Sequence, residues 1–345
     1  MEESIQEALL YEKLADDQVR CHLCAHECRI AAERKGLCHV RENREGTLYT
    51  LVYGRTISRQ IDPVEKKPLY HFYPGSRAYS VATVGCNMRC QWCQNADISQ
   101  MPRERHLLMG EEASPSDIVQ SAQQAGCQSI AYTYTEPTIF FEYAYDISME
   151  AREQGIANIF VTNGFMTGEM LDRYHPHLDA ANVDLKAFRE ETYRKYVGAR
   201  LQPVLDSMIK MKEQGVWLEV TTLLIPGLND EEKEIREAAG FIGRELGEDT
   251  PWHISRFYPS YQMRDTPPTP IPTLERAREI GREEGLRYIY LGNIPGEANT
   301  LCHQCGHQLI KRSGHRTVGR EISGADQCPR CGAALSGVGL SQGAG

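Results

Sequence analysis

Two kinds of hydrophobic pattern alternate along most of the chain. From about residue 77, short apolar runs typical of strands are separated by stretches in which apolar residues recur at helical spacing. The predicted strands lie at 78–84, 129–134, 158–162, 181–185, 217–224, 253–257 and 288–291, and the predicted helices near 115–125, 138–154, 167–175, 189–196, 202–214, 230–246 and 273–284. Such βα units indicate an α/β fold on a parallel sheet.

Periodicity alone does not choose between a full or partial barrel and an open, doubly wound sheet. In a barrel, functional residues lie at the carboxyl ends of the strands. The polar and cysteine-bearing segments described below follow the predicted strands. This placement favours a barrel, and the family resemblance given below implies a partial (βα)6-type TIM barrel with small four-cysteine modules at both ends.

The parts of the chain outside the βα pattern predict smaller units. Ile5, Leu9, Leu10 and Leu14 have helical spacing and predict an amphipathic helix within residues 1–20, and 47–57 predicts a hairpin or edge strands. We therefore expect five segments: an N-terminal helix and four-cysteine metal module (1–50), a strand and loop connection (51–76), the barrel (77–297), a zinc-ribbon-like four-cysteine module (298–335) and a disordered tail (336–345).

Composition narrows the class of protein. The chain has 345 residues and a formal net charge of −9, which argues against a broad nucleic-acid-binding surface. No apolar run approaches the roughly 18 residues of a membrane helix, and the first residues lack the pattern of a signal peptide. We therefore expect a cytoplasmic protein without a membrane partner, in which the 12 clustered cysteines are metal ligands rather than disulfides.

The most specific cluster is Cys86, Cys90 and Cys93, spaced C-x3-C-x2-C directly after the first predicted barrel strand. Three thiolates on one loop can hold three corners of a 4Fe–4S cubane, whose usual ligand set is four cysteines. The missing fourth ligand would leave one iron open to a small molecule. A zinc site is the alternative, but a structural zinc site needs a fourth ligand and none is evident nearby.

This loop, with Trp92 just before its last cysteine, resembles the radical S-adenosylmethionine (SAM) superfamily. The resemblance implies that the three cysteines bind the 4Fe–4S cluster, that the open iron chelates SAM, and that Trp92 lies against the adenine. It also implies SAM contacts from later strand ends, at Thr133, Glu136, Asn163, Asp184 and Lys186, and we add Arg256 as a further candidate.

Each of these later residues also has a plain structural interpretation. Glu136 is placed to interact with the start of a helix, Asn163 with Gly164 forms a turn signal, and Asp184 with Lys186 can form an exposed ion pair. Arg256 lies three residues after His253 on the same strand. A histidine packed in the core is a commoner outcome there than one that faces a substrate.

Two further groups contain four cysteines each. Cys302, Cys305, Cys328 and Cys331 form two C-x2-C knuckles that predict a zinc ribbon, with a rubredoxin-like iron or an auxiliary cluster as the rival. The N-terminal group predicts either zinc or an auxiliary iron–sulfur cluster, with nearby histidines as alternative ligands, and consists of Cys21, Cys24, Cys28 and Cys38.

Residues 77–297 resemble the pyruvate formate-lyase activating enzymes, which activate glycyl-radical enzymes. The whole arrangement most closely resembles the radical SAM enzyme of the AmmeMemoRadiSam system, through both four-cysteine groups and segments 132–138, 252–257 and 290–296. The resemblance implies reduction by flavodoxin or ferredoxin and cleavage of SAM to methionine and a 5′-deoxyadenosyl radical, which abstracts hydrogen from a substrate. A protein substrate is expected, with Memo-type and AMMECR-type proteins as candidate partners. The alternatives are a radical SAM enzyme that modifies RNA or a small molecule, and an iron–sulfur electron carrier without SAM chemistry.

Overall fold

Seven consecutive parallel strands form the centre of the protein, with one antiparallel strand at the edge of the same sheet. The computed structural model describes residues 5–296 and 298–342. The strands of this sheet are β1 (Ser58–Pro63), β2 (Arg77–Ala82), β3 (Ser129–Tyr132), β4 (Ala157–Thr162), β5 (Ala180–Asp184), β6 (Trp217–Leu224), β7 (Trp252–Arg256) and β8 (Ile289–Gly292).

The strand order decides between the two sheet architectures that the sequence left open. Strands β2 to β8 lie side by side in chain order, and the order never reverses as it does in a doubly wound sheet. Right-handed crossovers then place the connecting helices on one face, so the sheet curls as in a barrel. Among the described residues β1 and β8 do not pair with each other, which leaves the sheet open. The predicted α/β fold is confirmed.

Helices connect these strands. The main ones are Pro115–Gln124, Phe141–Glu153, Gly168–Tyr174, Gln202–Glu213, Glu232–Phe241 and Ile271–Glu283. Shorter helical segments are Val64–Lys66, Ala96–Ser99, Met101–Glu104, Pro137–Phe140, His175–His177, Glu190–Thr192, Tyr193–Val197 and Ile242–Leu246.

The first main helix shows how the sequence sets a boundary. The side chain of Ser114 accepts a hydrogen bond from the Asp117 backbone, and the Asp117 carboxylate accepts one from the Ser114 backbone. Together they cap the start of Pro115–Gln124.

The N-terminal helix prediction is wrong for the described part of the segment. Residues 6–50 form two small antiparallel sheets, one of Gln6–Glu7, Arg41–Arg44 and Thr47–Thr50, the other of Tyr11–Lys13, Val19–Cys21 and Arg29–Ile30. Leu10, Asp16 and Asp17 have positive φ, which no helix allows. The backbone N–H of Leu9 is instead bonded to the buried carboxylate of Glu142 at 2.7 Å, so a tertiary contact outweighs the helical spacing. Residues 1–4 lie outside the described residues.

The predicted hairpin within 47–57 is replaced by two separate pairings. Thr47–Thr50 pairs with Arg41–Arg44, whereas Arg55–Thr56 pairs with Glu111–Glu112. The segment therefore contributes strands, but to two different sheets.

The C-terminal module has three strands, Thr300–Leu301, Gln308–Ser313 and Arg316–Arg320, and lies at the amino end of the barrel strands. Its fully buried Arg312 donates hydrogen bonds to the carbonyl of Tyr70 at 2.7 Å and to the Thr300 hydroxyl at 2.8 Å. The backbone N–H of Tyr70 in turn donates to Glu219, near the start of β6, at 3.0 Å. This end of the sheet is the one opposite the three-cysteine loop.

The prediction of a disordered tail does not hold for residues 336–342. Val338 exchanges backbone hydrogen bonds with the segment at His71 and Tyr73, both at 2.8 Å, and the Leu340 side chain is buried. Apolar side chains thus anchor a segment whose glycine-rich composition suggested disorder. Residues 343–345 lie outside the described residues.

Two further observations concern the class of protein. No helix within the described ranges has both the length and the apolar character that a membrane crossing requires. The twelve cysteines are all described, and each has a free thiol rather than a disulfide.

Candidate active site at the carboxyl ends of the strands

The three-cysteine loop leaves the carboxyl end of β2 and turns sharply at Gly85, where φ is +102°. A Cβ atom on this glycine would lie 2.7 Å from Cγ1 of Val40, so the loop and the N-terminal module approach each other closely. Cys90 is buried, and Cys93 Sγ lies 3.3 Å from the hydroxyl of Ser99. The loop therefore presents its thiols from a packed and braced backbone.

Cys86 is braced by two asparagines, one in its own loop after β2 and one in the turn after β4, two strands away in the sheet. Asn163, after β4, places its Nδ2 2.8 Å from Oδ1 of Asn87 and 3.7 Å from Sγ of Cys86. Asn87 donates its own side-chain N–H to the carbonyl of Phe165 at 3.1 Å. Asn163 is a predicted site residue, whereas Asn87 was not singled out from the sequence, although its place directly after Cys86 was a usable signal.

Glu136 is fully buried, and its carboxylate connects the segment after β3 to the end of β4. Its carboxylate accepts hydrogen bonds from the backbone and hydroxyl of Thr138 at 3.0 and 2.6 Å, from the hydroxyl of Thr162 at 2.7 Å and from the backbone of Asn163 at 2.8 Å. Burial raises its pKa, although these bonds act in the opposite direction. Burial and the nearby Glu136 carboxylate also raise the pKa of Cys86 well above the usual thiol value. Glu136 thus caps the following helical turn and also positions a site residue.

Asp184 and Lys186 form an ion pair of 2.8 Å at the end of β5, and both charges act on the Cys90 thiol of the three-cysteine loop. Burial lowers the pKa of Lys186, but the charges of Asp184 and of Cys90 outweigh it and the net shift is upward. Burial raises the pKa of Cys90 to about 12, with the Lys186 ammonium acting to lower it. The pair is therefore not an isolated surface contact, because its cation stands next to one of the three loop thiols.

The strip from Thr133 to Glu136 follows β3 and lies over the sheet end. Thr133 is buried and donates its backbone N–H to Val81 at 3.1 Å. Tyr134 has a φ of +65°, a value that is strained for a tyrosine. It holds this conformation because Asn95 donates to its carbonyl at 2.8 Å and its own hydroxyl bonds to Asp62.

Asp62 is the hub of a small network that the sequence did not reveal. Its carboxylate accepts bonds from the buried Lys67 ammonium at 2.7 Å and from the Ser80 hydroxyl at 2.9 Å. Burial lowers the pKa of Lys67 to about 8 despite this pairing. Asp62 lies in β1 and Lys67 follows the helical turn after it, far from any motif, and no sequence signal linked them to Tyr134.

The remaining predicted site residues have different surroundings. Trp92 is 3% exposed and packs in the main hydrophobic core. Arg256 ends β7 and donates to the carbonyl of Thr269 at 2.7 Å and to the hydroxyl of Tyr258 at 3.2 Å. His253 is buried and lies 2.6 Å from Glu219 near the amino end of the sheet, so it is a packed residue remote from the loop.

The two four-cysteine groups occupy opposite ends of the barrel. In the C-terminal group the Sγ atoms of Cys302 and Cys331 lie 3.6 Å apart, and those of Cys305 and Cys328 lie 3.7 Å apart. All four ligand atoms are within 4.8 Å of one another, a spacing that suits a single metal ion. The N-terminal group lines a cavity next to the three-cysteine loop and consists of Cys21, Cys24, Cys28 and Cys38.

A family model described as the Radical SAM superfamily matches residues 80–239. The "Uncharacterized protein MJ0808" of Methanocaldococcus jannaschii is 46% identical over 310 residues, covering 89% of this chain and 92% of that protein. The pyruvate formate-lyase-activating enzyme of Clostridium pasteurianum is 24% identical over 169 residues, covering 49% and 70%.

Among solved structures, Streptococcus suis SuiB bound to precursor peptide SuiA superposes with a TM-score of 0.50 at 14% identity. The match covers 67% of this chain and 51% of that one. At this identity the likeness shows a shared fold.

Proposed function

Because the chain belongs to the radical SAM superfamily, we propose that it is an enzyme that abstracts hydrogen from a substrate with a 4Fe–4S cluster on Cys86, Cys90 and Cys93 and with SAM. The observation that carries this proposal is the set of three free thiols on one braced loop at the carboxyl end of β2. When bound, the cluster and SAM together supply the one-electron cleavage of SAM that starts radical chemistry.

The residues of the loop suit such a group. The three thiols are free, and the close approach at Gly85 leaves no room for a side chain that would push the loop away from the N-terminal module. The polar partners of the Cys86 sulfur are the backbone N–H of Met88 at 3.4 Å and the side chains of Asn163 and Asn87 at 3.7 and 3.8 Å, rather than a fourth cysteine. This donor set suits a cluster that leaves one iron open for SAM.

The surrounding side chains have positioning and electrostatic roles in this proposal. Asn163 orients the Cys86 end of the loop, while Glu136 fixes Asn163 through its backbone N–H. Lys186 places a positive charge beside Cys90, which favours thiolate over thiol there. The buried Trp92 excludes water from the base of the loop.

The decisive experiment measures SAM cleavage by anaerobically reconstituted protein. With dithionite and SAM, we expect release of 5′-deoxyadenosine and methionine. The Cys90→Ala variant should lose this activity, whereas Cys127→Ala, a matched change at a buried cysteine outside the three groups, should keep it. Iron-loaded protein that releases no 5′-deoxyadenosine would instead indicate an electron carrier.

We propose that the substrate is a residue of another protein. We also propose that flavodoxin or ferredoxin supplies the electrons for the reaction. Support comes from the similarity to an enzyme named for activating pyruvate formate-lyase. Memo-type and AMMECR-type proteins are the partners to test first. The enzyme, reduced and supplied with SAM, should release more 5′-deoxyadenosine when the true partner is added, and the partner should show a new radical signal or a changed mass. RNA and small-molecule extracts are added in parallel assays, because a larger release with either would favour that class of substrate instead.

We also propose that the C-terminal group binds one zinc ion. Tetrahedral zinc with Zn–S bonds of about 2.3 Å separates its sulfurs by roughly 3.8 Å. The observed separations of 3.6 and 3.7 Å support this assignment.

A further inference from the structure

The four N-terminal cysteines surround a cavity rather than a single point. The cavity between them has a volume of about 20 Å³ and is otherwise lined mainly by apolar side chains such as Leu23, Ile30 and Ile139. A single ion held directly by four thiolates fills the space between them. The open space among these cysteines therefore shows that their thiols do not converge on one point as the C-terminal thiols do.

The spacing of the thiols supports the same distinction. Among the described residues, the C-terminal group is the one set of three or more metal-ligating side chains whose ligand atoms all lie within 4.8 Å of one another. The N-terminal four do not meet that spacing, and neither do the three cysteines of the cluster loop. In a cubane, irons and sulfides stand between the cysteine sulfurs and hold them apart. The N-terminal group thus matches the cluster loop and differs from the zinc-like group.

A buried cation with unused donors adjoins the cavity. Arg41 is 1% exposed and lines the cavity, and one of its nitrogens bonds to Glu142 at 2.7 Å and to the carbonyl of Leu9 at 2.8 Å. Its Nε and Nη1 are buried and have no hydrogen-bond partner among the described residues. Buried donors need acceptors, and an anionic metal–thiolate group next to Arg41 would supply them.

The position of the cavity sets it apart from the C-terminal group. A Cβ atom on Gly85, directly before Cys86, would lie 3.4 Å from the carbonyl of Cys38. His26 also bonds to the carbonyl of Asn87 at 2.8 Å. The N-terminal cysteines therefore adjoin the loop that the proposed reaction uses, at the opposite end of the barrel from the zinc-like group.

We propose that Cys21, Cys24, Cys28 and Cys38 bind a second iron–sulfur cluster, a 4Fe–4S cubane with four thiolate ligands, in place of a zinc ion. Arg41 donates from its unpartnered Nε and Nη1 to the sulfurs of this cluster. The site rests on the cavity, the thiol spacing and Arg41, and not on the proposed reaction.

The test removes the other cluster and leaves this site intact. A variant with Cys86→Ala, Cys90→Ala and Cys93→Ala is purified and reconstituted without oxygen, and its metals and sulfide are measured. We expect about four iron and four sulfide per chain, together with one zinc. After reduction, its electron paramagnetic resonance signal should not change when SAM is added, because a cluster with four cysteine ligands has no open iron. Two zinc and no iron, or no iron after reconstitution, would overturn the proposal.

Two further variants in this background locate the iron. Cys24→Ser should lose the remaining iron, whereas the matched control Cys127→Ser should keep it. Arg41→Lys retains a positive charge for Glu142 but loses the free donors, so the reduction potential of the remaining cluster should become more negative. Arg29→Lys, a change at an exposed arginine of the same module, should leave the potential unchanged.

The two proposals fail in different ways. If the variant that lacks the three loop cysteines holds no iron, the proposal of a second cluster is wrong, but the proposal of SAM cleavage by the unaltered protein still stands. If the unaltered protein releases no 5′-deoxyadenosine, the proposed reaction is wrong, but the iron content of the variant still tests the second cluster.

Discussion

Asn163 Nδ2 lies 2.8 Å from Asn87 Oδ1, so the turn after β4 is bonded side chain to side chain to the loop after β2. The same amide lies 3.7 Å from Cys86 Sγ. One polar side chain therefore couples two strand ends and a candidate cluster ligand. The turn signal and the site interpretation of Asn163 are compatible, since its side chain also accepts a bond from the Phe165 backbone at 2.9 Å.

We expect Asn163→Ala to slow SAM cleavage about tenfold, because a lost hydrogen bond of about 1.4 kcal/mol corresponds to that factor. The iron content should stay unchanged, since all three loop cysteines remain. The measurement is 5′-deoxyadenosine release at saturating SAM, with metal analysis of the same sample.

The exposed Gln202→Ala is the matched control and should behave as the unaltered protein. A rate for Asn163→Ala equal to that of Gln202→Ala would show that the asparagine pair has no role in positioning the loop.

Glu136→Gln should destabilise the fold by about 1–3 kcal/mol, because an amide N–H would then face donors that the carboxylate now accepts. Thermal unfolding of the apo and the reconstituted protein measures the change. The exposed Glu153→Gln should leave the unfolding temperature nearly unchanged. Equal stability of the two variants would contradict the positioning role of Glu136.

Local patterns in the sequence were sufficient for the sheet and for the cysteine loop. Strands and helices of the βα units carry their own periodicity, and the C-x3-C-x2-C spacing is contained in eight residues. The choice of barrel over doubly wound sheet needed the strand order, which periodicity does not encode.

Long-range contacts explain what the sequence could not show. Leu9 has helical spacing with its neighbours, yet its backbone is bonded to Glu142, 133 positions away. Tyr134 occupies a left-handed conformation because Asp62 holds its hydroxyl. Arg256 ends a strand as the site residues do, but its partner is Thr269 rather than the loop. In each case the deciding partner is distant in sequence and carries no motif.

His71 should make the protein sensitive to mild acid. Its Nδ1 lies 2.8 Å from the carbonyl of Ser336 and must donate, so its Nε2 accepts from the Tyr290 hydroxyl at 2.6 Å. The ring is therefore neutral, and burial lowers its pKa to about 4 from the ordinary 6.5. Between these values the unfolded chain binds more protons than the folded one, so stability falls as pH falls through this window.

The expected loss is on the order of 3 kcal/mol between pH 6.5 and 4, measured by chemical denaturation at each pH. His71→Gln lacks the titrating ring and should show a flatter pH dependence in that window, even if its stability at neutral pH is lower. An unchanged slope in the variant would assign the acid sensitivity to another group.

Removing one C-terminal thiol should separate zinc from iron. Cys305→Ser breaks a site whose sulfurs already have zinc-like separations, so we expect zinc to fall by about one per chain while iron and sulfide stay unchanged. Loss of the metal should make the strands of this module more susceptible to protease. SAM cleavage should persist, because Arg312 and the tail attach the module to the amino end of the barrel, opposite the three-cysteine loop. Zinc and iron are measured on the same sample of Cys305→Ser, and Cys127→Ser is the control. A loss of iron with retained zinc would reverse the assignment and place an iron centre in the C-terminal group.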